Sequence, residues 1–303
     1  EESKYSIFLP FFKELIHLRI EEANQISKEQ TPWETLAQPY EPDISKELIS
    51  KLFNPIKDII PTMLDSIKQV NKVQWDLSQN TQKYLSEKLL DLFGRDKNLV
   101  AVAESPHPFS ITLGPKDFRI TTRIVKGEPF SSLLATAHEW GHSLYEQGLP
   151  SETHQWFAWP LGQATSMGVH ESQSLFWENR IVKSKAFSES FFKYFVENGC
   201  PFINSDDLWK SMNIFKAGLN RVEADELTYG LHILIRTELE IEKRLCSDIL
   251  FPQYHKNWGR AKMCCFSCYM WENHKDEGAH TCSQCGVFEL MEDDENVFMM
   301  GED

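Results

Sequence analysis

The sequence predicts a mainly α-helical protein with one small β element, on three observations. Apolar residues recur at helical spacing over most of the first 245 positions, and only one stretch, from His107 to about Ile124, alternates with the period of a strand. Hydrophobic residues make up 41% of the 303 positions and aromatic residues 12%, enough for a substantial core. No apolar run approaches the roughly 18 residues of a membrane span, and no charged-then-apolar leader opens the chain, which starts at Glu1; a reducing, cytoplasmic setting with no membrane partner is expected.

The elements follow in order. Residues 5 to 28 form a helix with Pro10 near its start. The Pro-rich stretch 29 to 43 reads as a connection packed by Trp33 and Tyr40. Helices are predicted over 44 to 70 and 75 to 94, the second stopped by Gly94. The segment HPFSITL, the turn Gly114-Pro115-Lys116 and DFRITTRIV then read as a hairpin or two neighbouring strands. On the second strand Asp117, Arg119, Thr121 and Arg123 project to one side, opposite Phe118, Ile120, Thr122 and Ile124. Two readings hold for that polar face: a solvated surface, or a strand bordering a cleft that offers its backbone to an extended peptide.

The helix from Ser131 to Gln147 carries the chemistry. It contains His138-Glu139-Trp140-Gly141-His142. Residues four apart share a helix face, so both imidazoles can point at one metal ion. Leu134 and Tyr145 lie on the same stripe, which places the histidines where unpaired rings would be costly. Two neutral imidazoles on Zn²⁺ leave room for a third ligand and a water whose pKa falls to about 7. Glu139 stands where it could take that water's proton and pass it to a leaving amine.

The third ligand is sought in Gly168-Val169-His170-Glu171-Ser172-Gln173-Ser174, which opens another helix through Trp177. A metzincin would place Gly three and His six residues after His142; Tyr145 and Gly148 stand there instead. Glu171 suits a following antiparallel helix, with His170 and Glu178 as competitors. Residues 206 to 217 and 219 to 244 are predicted helical. In the second, Arg221, Asp225, Thr228, Tyr229, His232 and Arg236 form a stripe that suits either a cleft wall or an ion-pair network.

Charge and cysteines bound the remainder. With 31 basic and 45 acidic residues, net charge −14, the chain lacks the basic face that a nucleic-acid partner needs. The seven cysteines crowd toward the end, unlike a secreted disulfide framework. Cys265 and Cys268, then Cys282 and Cys285 after the 13 residues from 269 to 281, have the spacing of a four-cysteine zinc ribbon, a second, structural Zn²⁺ site. The expected division is therefore 1 to 260, helical and carrying the metal helix, and 261 to 303, a Cys-rich tail with the acidic run Glu292 to Glu295.

Taken together, HPF at His107 to Phe109, DxRxT from Asp117 to Thr121, HExGH from His138 to His142, GVHESQS from Gly168 and RVEADELTYGLHI from Arg221 resemble the carboxypeptidase Taq-like metallocarboxypeptidases over about residues 5 to 240. The resemblance implies an elongated, mostly helical peptidase fold with a deep groove and a small sheet beside the zinc site, usually dimeric. It also implies release of single amino acids from peptides with a free C-terminus. Carried over, His138, His142 and Glu171 bind Zn²⁺ or Co²⁺, Glu139 is the general base and acid, and an arginine takes the terminal carboxylate, Arg221 first and Arg236 second. His107, Asp117, Arg119, Tyr229 and His232 join these as substrate-binding candidates. The family's last motif, GxxQDxHW, is absent. The alternative implied is a shortened, inactive relative that serves as a metal-containing binding module.

Overall fold

The structure, a computed structural model, describes residues 5–67, 75–215 and 224–241. In chain order its elements are α1 (Tyr5–Ile26), α2 (Pro32–Ala37), α3 (Lys46–Ser66), α4 (Gln79–Leu92), β1 (Val100–Glu104), β2 (Ser110–Gly114), β3 (Asp117–Thr122), α5 (Ser131–Gln147), α6 (Met167–Leu175), α7 (Lys185–Val196), α8 (Ser205–Met212) and α9 (Glu226–Ile241). The mainly helical prediction with a small sheet holds. Arg221, the four tail cysteines and the expected boundary near 260 lie outside the described residues.

The described chain forms two compact units. One gathers residues 5–38, 43–67, 215 and 224–241. Here the predicted connection contains a short helix, α2, because Thr31 and Glu34 form a reciprocal capping box and Pro32 occupies the first helical position. Helices α3 and α9 bury Leu231 and Leu234 against Phe53, Ile56, Ile60 and Leu64, and Lys57 pairs with Glu238 at 2.9 Å. Helix α9 opens at Glu226, later than its periodicity suggests. The Asp225 carboxylate accepts hydrogen bonds from the backbone N–H groups of Leu227 and Thr228 and from the Thr228 hydroxyl. Asp225 and the buried Thr228 thus serve the helix start rather than an open face.

The other unit, residues 39–42 and 75–214, is built around α5. Helix α4 begins at the Ser78 cap and ends as predicted at Gly94, whose φ of +79° turns the chain with little strain only because it has no Cβ. The chain then enters a strand the sequence did not disclose, β1, which pairs parallel to β3, while β2 and β3 form the expected hairpin. The sheet order is β1-β3-β2. Strand β3 is therefore central, with partners on both edges, so the idea that it offers its backbone to a peptide is corrected: its N–H and C=O groups are already spent on its neighbours. Thr121 also leaves the predicted polar face. It is buried because its hydroxyl accepts from the Phe109 N–H at 2.9 Å and bonds Ser105 Oγ at 2.6 Å. The HPF and DxRxT motifs are in this way two halves of one contact.

Helix α5 lies between two cores. Leu133 and Ala137 join Leu85, Leu89, Phe187, Phe191 and Phe195, and Trp140 joins Leu90, Val100, Phe118 and Ile120 against the sheet. Much of the first core comes from α7, KAFSESFFKYFV, a helix that went unassigned in the sequence because its phenylalanines blur the period. A buried ladder of hydroxyls, Ser86–Ser132 at 2.7 Å and Thr136–Thr122 at 3.0 Å, ties α4 and β3 to α5 without stranding a polar group. With three sides packed, the fourth side of α5 is left to its histidines.

Candidate metal centre

Helix α6 lies along that fourth side, and the closeness of the two helices depends on Gly141. A Cβ there would stand 2.6 Å from the Gln173 carbonyl oxygen and 2.6 Å from Ser174 Cα, so only glycine lets α6 come this near. The start of α6 is fixed from residues 39–42. The Tyr40 carbonyl accepts the Met167 N–H at 2.8 Å, and Glu41 Oε2 accepts from Ser166 Oγ at 2.7 Å and from the Gly168 N–H at 3.1 Å. Past Leu175 the helix widens into a π-helical turn, Phe176–Val182, in which Lys183 N bonds the Glu178 carbonyl five residues back.

This places three potential ligands together. One ligand atom from each of His138, His142 and Glu171 lies within 4.8 Å of the other two. Glu171 Oε2 is 3.1 Å from His142 Nε2 and 3.6 Å from His138 Nε2. Donor atoms each ~2.0–2.2 Å from a tetrahedral ion stand roughly 3.3–3.6 Å apart, so the spacing suits zinc-sized coordination. The donor set of two imidazoles and one carboxylate is also one that divalent zinc and its neighbours accept.

The competitors for third ligand sit behind the first two. Glu178 Oε2 lies 2.9 Å from His138 Nδ1, the nitrogen turned away from the cluster, and Lys183 Nζ approaches Glu178 Oε1 at 3.5 Å. His170 Nδ1 lies 2.7 Å from His142 Nδ1, and its Nε2 lies 2.8 Å from Glu146 Oε1. Both imidazoles of the cluster are thereby oriented from the rear, as metal-binding histidines usually are.

The electrostatics of the cluster couple its imidazoles to its carboxylates. Burial alone would lower the His138 imidazole, but the Glu178 hydrogen bond and the charges of Glu178, Glu171 and Glu139 raise it to about 9. Burial would likewise raise the Glu171 carboxyl, but the His142 hydrogen bond and the charges of both histidines bring it to about 2. The Glu178 carboxyl is lowered for the same reason, its burial outweighed by His138 and Lys183. Glu139 follows His138 on α5 and is 6% exposed, its charge acting on His138.

The remaining predicted residues are elsewhere or differently engaged. On β3, Arg119 is exposed and Asp117 half-buried, and they bond each other twice, at 2.8 and 2.9 Å. His107 Nδ1 meets the Pro108 carbonyl at 2.8 Å, and its Nε2 is buried with no hydrogen-bond partner among the described residues. Tyr229, His232 and Arg236 lie on α9 of the other unit, with Arg236 Nε 2.9 Å from Glu240 Oε1. Glu146 was missed in the sequence. The signal was there: His138, His142 and Glu146 continue one strip at i, i+4 and i+8.

Comparison with known proteins adds to this geometry. Residues 1–257 match the family described as carboxypeptidase Taq (M32) metallopeptidase. The chain is 36% identical over 253 residues to thermostable carboxypeptidase 1 of Thermus thermophilus, covering 77% of this chain and 49% of that protein. It is 33% identical over 249 residues to carboxypeptidase 1 of Bacillus subtilis, covering 79% and 49%. A solved structure of Pyrococcus furiosus carboxypeptidase superposes with a TM-score of 0.71 at 29% identity, covering 81% of this chain and 50% of that one. The chain thus spans about half the length of the curated relatives it matches.

Proposed function

Because the chain belongs to the carboxypeptidase Taq (M32) metallopeptidase family, we propose that it is a zinc-dependent metallocarboxypeptidase, releasing single amino acids from peptides with a free C-terminus. The observation that carries the reading is the convergence of His138, His142 and Glu171, a ligand atom of each lying within 4.8 Å of the others and Glu171 Oε2 standing 3.1 Å from His142 Nε2 and 3.6 Å from His138 Nε2, a donor set that a small divalent cation accepts. These three residues would hold the ion. When bound, a zinc ion supplies Lewis acidity toward a carbonyl oxygen and acidifies a water near neutrality.

The chain's own groups account for the rest. Glu139 is buried beside His138, and it takes the proton of the attacking water and returns it to the departing amine. Glu178 and His170 hold the two imidazoles still, so ligand atoms need not reorganise during turnover. Arg221, with Arg236 second, is assigned the substrate's terminal carboxylate, since a guanidinium fork matches that group in two hydrogen bonds and would confine cleavage to the chain end. His107, Asp117, Arg119, Tyr229 and His232 are proposed to line the path of the substrate.

The test is amino-acid release from a short peptide by zinc-loaded protein, beside the same peptide amidated at its C-terminus. Release from the free peptide alone is expected, reduced about 100- to 10,000-fold by Glu139→Gln. Equal cleavage of the amidated peptide would refute the carboxylate clamp, and no release from either peptide would refute the activity.

A further inference from the structure

The rear support of the two histidines is unequal in kind. His138 meets a carboxylate directly, whereas His142 meets a second imidazole, and only beyond that a carboxylate. The contact between His142 Nδ1 and His170 Nδ1 is 2.7 Å, so one proton is shared between two nitrogens and the direction of donation has to be set by something else. The rings are stacked at 4.6 Å and 29°, and Tyr145 abuts His170 edge-on at 4.9 Å, so His170 is held from two sides.

Glu146 sets the direction. As a carboxylate it can only accept, so His170 Nε2, 2.8 Å from Glu146 Oε1, has to carry the proton. A neutral His170 protonated at Nε2 presents a bare Nδ1, which can only accept from His142 Nδ1–H. His142 then carries its proton at Nδ1 and leaves a bare lone pair at Nε2, aimed at Glu171 Oε2 3.1 Å away. With no cation between them the same contact is a hydrogen bond from a protonated Nε2 to Glu171; in the tautomer that Glu146 selects Nε2 is a bare acceptor, and a cation takes the place of that proton. The chain of three groups therefore both selects the ligand form of His142 and favours a cation in front of it.

We infer that His170 and Glu146 are positioning residues that hold His142 in the one tautomer able to bind the cation, an inference that rests on the metallopeptidase reading given above. Neither residue touches the metal position. They act through His142, and the outer supports of metal-binding histidines are typically worth about 10- to 100-fold in affinity.

Glu146→Gln is the discriminating variant. The amide has the same size but can donate to His170 Nε2, which lets the chain run backwards and places the His142 proton on Nε2. His170→Phe keeps the stacked ring and removes both hydrogen bonds, and Tyr145→Phe is the control that keeps them. Zinc affinity is measured by competition with a chromophoric chelator, without peptide, on protein whose fold is checked by circular dichroism. The expected result is about 10- to 100-fold weaker binding for Glu146→Gln and His170→Phe and none of that loss for Tyr145→Phe. Should a variant fail to fold, the wild-type tautomer decides: two-bond nitrogen–proton couplings in histidine-labelled protein should show His142 protonated at Nδ1. Protonation at Nε2, or zinc affinity indistinguishable from wild type in both folded variants, overturns the inference. The peptide assay judges the activity separately, since a chain that binds zinc as inferred but releases no amino acid would sink the function and leave this relay standing.

Discussion

Replacing Gly141 with alanine pits two effects of opposite sign against each other. In an exposed helix interior the change favours the helix by as much as ~1 kcal/mol. Here the new methyl would stand 2.6 Å from the Gln173 carbonyl oxygen and 2.6 Å from Ser174 Cα, against an ordinary contact of 3.4 Å or more, so α6 has to retreat by about 0.8 Å (3.4 minus 2.6). The obstructing atoms are backbone and cannot turn aside. Helix α6 is also pinned at its start by Tyr40 and Glu41. Overpacking of this kind costs about 1–3 kcal/mol; set against a propensity gain of ~1 kcal/mol, the net loss reaches about 2 kcal/mol, so Tm should fall by up to roughly 8 °C. Glu171 rides on the same helix two residues before Gln173, and metal–ligand distances tolerate only about 0.2 Å, so zinc affinity should fall by at least about tenfold. Thermal melting and chelator competition read the two effects. A variant that melts at or above the wild-type temperature and binds zinc equally well would show that the close approach of α5 and α6 does not set the site.

Two further expectations concern protons and metal count. In the metal-free chain, Glu171 is lowered from 4.5 to about 2, so its stabilisation is present above pH 4.5 and lost as pH falls toward 2; His138 is raised from 6.5 to about 9, so its stabilisation is full below 6.5 and lost as pH rises through 9. A cation requires neutral His138, so in a chain whose Cys265 and Cys268 are replaced by serine, binding at pH 7.5 should release close to one proton per ion, read by calorimetry in buffers of differing ionisation enthalpy; no proton release would contradict the His138 assignment. Cys265, Cys268, Cys282 and Cys285 are expected to hold a second zinc, so the full chain should retain one zinc after Glu171→Ala and lose it when Cys265 and Cys268 become serine; a stoichiometry unmoved by the cysteine changes would remove the ribbon.

How much of this was legible in the sequence depended on how local each cause was. Helix α5 was readable to the residue, because its apolar stripe and its histidines obey one period. The end of α4 was readable from Gly94 alone. Strand β1 was not, since five residues, VAVAE, acquire their meaning only from a parallel partner 18 positions on, as Val100 pairs with Phe118. The central place of β3 followed from that missing strand. At the site, spacing favoured Glu171 but kept His170 and Glu178 as competitors, because all three fall on one short helical stretch; what separates them is which side of each imidazole they meet, and that needs Gly141 to bring the helices together. No helix among the described residues is long and apolar enough to cross a membrane, as the hydropathy suggested.

The most direct test is the position of the metal. Crystals of the zinc-loaded chain, measured at the zinc absorption edge, should give an anomalous peak about 2.0–2.2 Å from His138 Nε2, His142 Nε2 and Glu171 Oε2, with His170 and Glu178 uncoordinated behind the imidazoles. A peak bonded to His170 or Glu178 in place of Glu171, or no peak between the two helices, would contradict the account at its centre.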